Sequence, residues 1–159
     1  MRPKYSCSMQ LTRAADYGVR VMIHLATLRA GERALLPTLA AGTDAPLSFL
    51  SKVLQALARA KMITSRRGKA GGFVLLEKGR AATIKEVVEA VDGPISLNTC
   101  VSSSNSCGRA LWCPAHPVWA EAQRAMIEVL EGRSIEELAA QLKSAPAEEN
   151  PAVAGLVET

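Results

Sequence analysis

The sequence predicts a mainly α-helical fold with a small β-wing: a winged helix-turn-helix DNA-binding domain plus a long C-terminal helix. Three observations predict it. Two apolar-striped helical segments are separated by a short turn. A cationic, glycine-rich hairpin follows the second of them at once. A long helical pattern stands at the far end of the chain, beyond a cysteine-rich stretch. Helix-period and strand-period patterns in that order are the signature of a winged helix.

The first helix is expected within LTRAADYGVRVMIHLATLRAG. Leu11, Ala15, Val19, Met22, Ala26 and Leu28 recur at near-helical spacing with arginines between them. Thr12 is placed to cap its start and Gly31 to end it. LLPTLAAG reads as a short helix opened by Pro37, whose fixed φ suits a first turn, and closed by Gly42. TDAP makes the turn. LSFLSKVLQALARAKM then puts Leu47, Leu50, Val53, Leu54 and Leu57 on one face. Ser48, Ser51, Lys52, Gln55 and Arg59 fall on or near the other, the small, polar, basic surface of a recognition helix.

Ile63–Ser65 and Phe73–Leu76 read as two short strands. The tip between them, RRGKAGG, holds three cations and three glycines. Its glycines permit close backbone approach, and Arg66, Arg67 and Lys69 can reach phosphates or the minor groove. No GxxxxGK(S/T) is present, so a nucleotide phosphate loop is a poor rival. In TIKEVVEAVDGP, Thr83 and Glu86 form a capping box and Ile84, Val87, Val88 and Val91 an apolar face; Gly93-Pro94 stops the helix. Pro117 opens the last long helix, striped by Trp119, Ala122, Met126, Val129 and Leu130. Ser134 and Glu137 make a second capping box, for IEELAAQLK. The Pro/Ala/Glu-rich end is expected to be disordered.

Cys100, Cys107, Cys113 and His116 stand within 17 positions, where helix and strand signals fade. Soft thiolates and an imidazole on a loop are a donor set for a metal or an iron–sulfur cluster. Small buried hydrophobes are the plainer reading of such cysteines. No apolar leader and no membrane span are visible, so the chain is expected in the cytoplasm, where thiols stay reduced. There, clustered cysteines favour metal or redox chemistry. The absence of a paired CxxC weighs against structural zinc.

Charge is divided along the chain. Residues 1–80 carry 14 Lys and Arg against 4 Asp and Glu; residues 81–159 carry 5 against 11. The first half is therefore the candidate phosphate-binding surface. That surface argues against an electron carrier, which needs none. No nucleophile–base–acid set appears, so no enzyme is expected.

Residues 9–142 resemble the Rrf-two family of winged-helix regulators, the group that includes IscR, NsrR and RirA. The resemblance rests on LTRAADYGVRVMIHLA, LSFLSKVLQALARAKMITSRRGKAGGFVL, IKEVVEAVDGP, the three-cysteine loop with CPAH, and SIEELA. It implies a homodimer on a palindromic operator in double-stranded DNA, paired through the long helix, and expected to act as a repressor. By matching positions, Ser48, Phe49, Lys52 and Arg67 take base or groove contacts, and Arg66 and Lys69 phosphates. It also implies an iron–sulfur cluster sensing iron, redox or nitric oxide status. IscR-like members hold a 2Fe–2S cluster with three cysteines and a histidine, and His116 matches that position. NsrR-like members hold 4Fe–4S, in some with an aspartate of the other subunit's first helix, which Asp16 matches. His116 and 2Fe–2S are favoured over Asp16 and 4Fe–4S. The alternative is a cluster-free regulator of the same fold using the cysteines as redox sensors or a zinc site. The boundaries expected are an N-terminal extension at 1–8, where Cys7 has no cluster role, and the winged domain at 9–93. The cysteine loop then spans 94–116, the dimerisation region 117–143 and the tail 144–159.

Overall fold

The computed structural model describes residues 11–66, 68, 71–102 and 107–144. Residues 1–10, Arg67, Lys69 and the expected tail beyond Ser144 lie outside them, and Ser144 itself, expected in that tail, closes the last helix. The order is α1 (Arg13–Thr27), β1 (Arg33–Ala34), α2 (Leu36–Thr43), α3 (Leu47–Arg59), β2 (Ile63–Arg66), β3 (Gly72–Leu75), α4 (Glu77–Ala81), α5 (Ile84–Asp92), a 3₁₀ turn (Thr99–Val101), α6 (His116–Glu131) and α7 (Ile135–Ser144). The architecture is the expected one, mostly helical with a small antiparallel sheet. Among the described residues no helix is long and apolar enough to cross a membrane.

Helix α1 is the axis of the core. Val21, Met22 and Leu25 are fully buried, and α2, α3, α5 and α7 all pack around them. Its start is capped as expected: Thr12 Oγ1 accepts from the Ala15 N–H at 3.2 Å and itself donates to Asp92 Oδ1 at 2.7 Å. That second bond ties the start of α1 to the end of α5. The end of α1 differs. The helix stops at Thr27, whose hydroxyl donates to the His24 carbonyl at 2.6 Å while Leu28 turns extended. A side chain that bonds the preceding turn competes with the helix ladder there. Gly31, at φ +79°, serves the turn into β1 instead.

Helix α2 has Pro37 in its first turn but does not close at Gly42. Asp44 takes the left-handed position, φ 51°, and Gly42 lies within the helix. Packing, not chain reversal, demands glycine there: a Cβ would lie 2.6 Å from Cε1 of the His24 ring. Helix α3 buries Leu50, Val53, Leu54 and Leu57 as its pattern predicts. Leu47, expected on that face, is the first residue of α3 and is 52% exposed. Strands β2 and β3 pair antiparallel, Ile63 opposite Leu75 and Arg66 opposite Gly72. The two-residue β1 joins the free edge of β3, giving the order β1-β3-β2. Neither β1 nor the five-residue α4 is long enough to show a period in the sequence.

The α5 capping box forms, and Gly93 ends the helix at φ 89°. The Ser134–Glu137 box also forms, with bonds of 2.8 and 3.2 Å. Helix α7, expected within the dimerisation region, returns to the winged domain. Ile135 and Ala139 are buried in its core, and the Ile135 N–H donates to the Ala82 carbonyl at 2.8 Å.

His24 is a buried imidazole in this core, 7% exposed, with Nε2 lacking a hydrogen-bond partner. Burial pushes its pKa below the ordinary 6.5, because desolvation disfavours the charged form. The unfolded chain therefore binds the proton first. The contribution of the neutral His24 to stability is complete above pH 6.5 and is lost as pH falls from there through the folded-state value. The thermal midpoint is expected to decline over that window, and less so in a His24→Leu variant. Equal slopes in the two proteins would place the titration elsewhere.

Candidate nucleic-acid interface and cysteine loop

Helix α3 leads directly into β2 of the β2–β3 hairpin. Ser48, Phe49 and Lys52 are all exposed on α3, and Phe49 remains 50% exposed. Its ring meets Tyr17 of α1 edge-on, centroids 6.3 Å apart. Tyr17 thus props an exposed aromatic of α3, a contact that no local spacing announces. No side chain caps the α3 N-terminus, which follows Pro46. The helix dipole presents its positive end there. In the hairpin Arg66 is exposed, and the Gly71 N–H donates to the Gly68 carbonyl at 2.8 Å to close the tip. Gly68, at φ +103°, occupies a conformation that side chains resist. Arg67 and Lys69 lie outside the described residues.

The cysteine loop is organised by short-range bonds. Cys100 sits at the centre of the 3₁₀ turn, which Asn98 caps by accepting from the Thr99 N–H at 3.0 Å. The Cys107 carbonyl accepts from Ala110 at 3.1 Å, and the Cys113 carbonyl from His116 at 3.1 Å. His116 is the first residue of α6. All three cysteines are half-buried free thiols. Cys100 and His116 line one depression of about 490 Å³, shared with Ser102, Gln123 and Arg124. The His116 Nδ1 is buried and has no hydrogen-bond partner. Cys107 and Cys113 do not line it, and among the described residues no three Cys, His, Asp or Glu side chains gather into a metal site. Residues 103–106, between Cys100 and Cys107, are not among those described. Asp16 is exposed on α1 and pairs with Arg20 at 2.9 Å.

Helix α6 leaves the core almost uncovered. None of its residues is fully buried, and Val118, Trp119 and Val129 are 65%, 37% and 74% exposed. Lys85 of α5 holds its far end through Glu131 at 2.7 Å. That pairing raises the Lys85 pKa through its hydrogen bond. At the loop, Trp112 is 68% exposed with the Arg109 guanidinium 5.6 Å from its ring.

A helix-turn-helix with a β-hairpin wing and a cysteine loop before a bare C-terminal helix defines a winged-helix transcriptional regulator. The chain belongs to the Rrf2 family, described as iron-dependent transcriptional regulators, whose profile matches residues 11–141. The family and the relatives below are regulators rather than enzymes. The chain is 34% identical over 88 residues to a helix-turn-helix-type transcriptional regulator of Mycobacterium tuberculosis, 55% of each chain. It thus spans about half the length of that relative. It is 28% identical to an rrf2-like regulator of Rhodobacter capsulatus, over 82% of this chain and 92% of the other. Among solved structures, CymR, the global cysteine regulator of B. subtilis, superposes with a TM-score of 0.67 at 26% identity, over 84% of this chain and 98% of CymR. T. potens IscR reaches the same TM-score, 0.67, at 17% identity, over 89% and 96%, a likeness of fold.

Proposed function

We propose that the chain is a homodimeric DNA-binding regulator, acting as a repressor, whose affinity for a palindromic operator is set by an iron–sulfur cluster on the cysteine loop. The observation that carries the cluster half of this reading is the His116 imidazole: its Nδ1 is buried without a partner, and the residue lines the same depression as Cys100. A buried polar atom left unsatisfied calls for an explanation, and a metal is one that imidazole and thiolate share. The donor set fits. Cys100, Cys107, Cys113 and His116 are the residues that would hold a 2Fe–2S cluster, with Asp16 of a second copy replacing His116 in the 4Fe–4S alternative. When bound, such a group supplies an iron- and redox-responsive crosslink between the loop and α6.

The remaining roles belong to the chain. Ser48, Phe49, Lys52 and Arg67 read base edges or the groove wall, while Arg66 and Lys69 grip phosphate. Helix α6 pairs with its counterpart in a second copy, covering Val118, Trp119 and Val129. The seam sets the separation of the two α3 helices, and half-site spacing makes operator binding sensitive to it. A coupling of about 1–3 kcal/mol between loop and operator suffices for a switch.

A second reading keeps the same fold and DNA face with no cluster, the cysteines acting as thiol sensors or holding zinc. Three free thiols that do not converge among the described residues favour it. Anaerobic reconstitution, followed by iron and sulfide analysis and an operator gel shift, decides. About two iron and two sulfide per chain support His116 ligation, and about four support the Asp16 alternative. A colourless chain that still shifts DNA supports the thiol reading. A coloured chain that never binds DNA overturns the regulator reading.

A further inference from the structure

Helix α6 reaches back across the cysteine loop through one side chain. Gln123 lies seven residues beyond His116, two turns on and therefore on the same helix face. Its Oε1 accepts from the Leu97 N–H at 3.0 Å, and its Nε2 donates to the Val101 carbonyl at 3.0 Å. Those two backbone groups bracket the turn that carries Cys100. The carboxamide is half-buried and lines the depression shared by Cys100 and His116. Its orientation follows from its partners. Only the oxygen can accept from Leu97 and only the nitrogen can donate to Val101, so a flipped amide breaks both bonds.

We infer that Gln123 is the positioning residue of the loop, seating the Cys100 thiol beside the His116 imidazole before any ligand is bound. The role of that pair as ligands rests on the function proposed above; the seating itself does not. Local bonds shape the turn: Ser96 Oγ donates to the Asn98 carbonyl and Ser102 Oγ to the Thr99 carbonyl, each at 2.8 Å. These two bonds act within the loop. The Gln123 bonds cross from the loop to α6, so they decide where the turn sits relative to His116. They also make Gln123 the joint through which a change at Cys100 is felt by α6.

The test uses the full chain, reduced and metal-free. Rates of iodoacetamide alkylation at Cys100, Cys107 and Cys113 are read by peptide mass spectrometry. In Gln123→Leu, which loses both bonds, Cys100 is expected to react about five- to tenfold faster, as local opening is released. Cys107 and Cys113 are expected to change less than about twofold, since their turns are closed by bonds within the loop. Gln123→Glu keeps the acceptor for Leu97 and loses the donor to Val101, and gives a smaller rise at Cys100 alone. That variant decides the matter where the leucine one fails to fold. A Gln141→Leu control on the exposed face of α7 leaves all three rates unchanged. Unchanged Cys100 reactivity, or equal acceleration at all three thiols, overturns the positioning role. Reconstitution of the wild type and Gln123→Glu with ferrous iron and sulfide adds a second readout, a shifted visible circular dichroism spectrum in the variant. A wild-type chain that takes up no iron overturns the ligand reading alone, because the alkylation rates still judge Gln123.

Discussion

Replacing Gly79 with alanine is expected to cost about 3 kcal/mol of folding stability, at the upper end for overpacking a filled core. Helix propensity predicts the opposite sign, since alanine in a helix is favoured over glycine by about 1 kcal/mol. Contact geometry decides against propensity. A Cβ on Gly79 would run into the Met62 carbonyl oxygen and would stand 2.9 Å from Leu75 Cδ1. That carbonyl is not free to move, because it accepts the Leu76 N–H at 2.9 Å. Lys78 pins the same corner, its Nζ donating to the Ala60 carbonyl at 2.9 Å. Relief therefore requires α4 to lift from the root of the wing. Urea unfolding of the two proteins measures the difference, and a higher midpoint in Gly79→Ala would show that α4 does not sit against the Met62 carbonyl.

The second large effect concerns α6. Val129→Asp is expected to give a monomer by sedimentation and to weaken operator binding by about 100-fold or more, as two linked half-sites become independent. Its effect on the thermal midpoint of the winged core is expected to be small. Val129 is 74% exposed in the single chain and supports nothing within it. This separation of effects distinguishes a pairing surface from a core position. A variant that stays dimeric with unchanged operator affinity would remove α6 residue 129 from the proposed seam. A variant that simply unfolds would be inconsistent with so exposed a site.

Much of the fold was legible because its signals are local. The Thr83–Glu86 and Ser134–Glu137 capping boxes join residues three apart, and the structure forms both. Pro37 and Pro117 stand in first turns as their fixed φ requires. The apolar positions of α3 and α5 follow the helical period, so Leu50, Val53, Leu54, Val87 and Val88 are found buried. Glycines were harder to read. Gly31 and Gly42 look alike as helix stops, yet one serves a later turn and the other makes room for the His24 ring. Only the neighbour across the interface tells them apart. The cysteine loop was legible as a donor set and not as a geometry. Its residue types announce soft ligands, but Cys100 is placed by a glutamine 23 positions away.

Periodicity, capping and charge act within a few residues of chain, and so the class of fold, the exposed outer face of α3 and the identity of the candidate donors were readable from the residues alone. Tertiary structure alone decided the return of α7 to the core beside α1, the addition of β1 to the sheet, the close approach of α4 to Met62 and the clasp of Gln123 on the loop. Each of these joins surfaces distant along the chain. Which surfaces meet depends on the apolar area left uncovered once the local elements have formed, and no short window of sequence contains that sum.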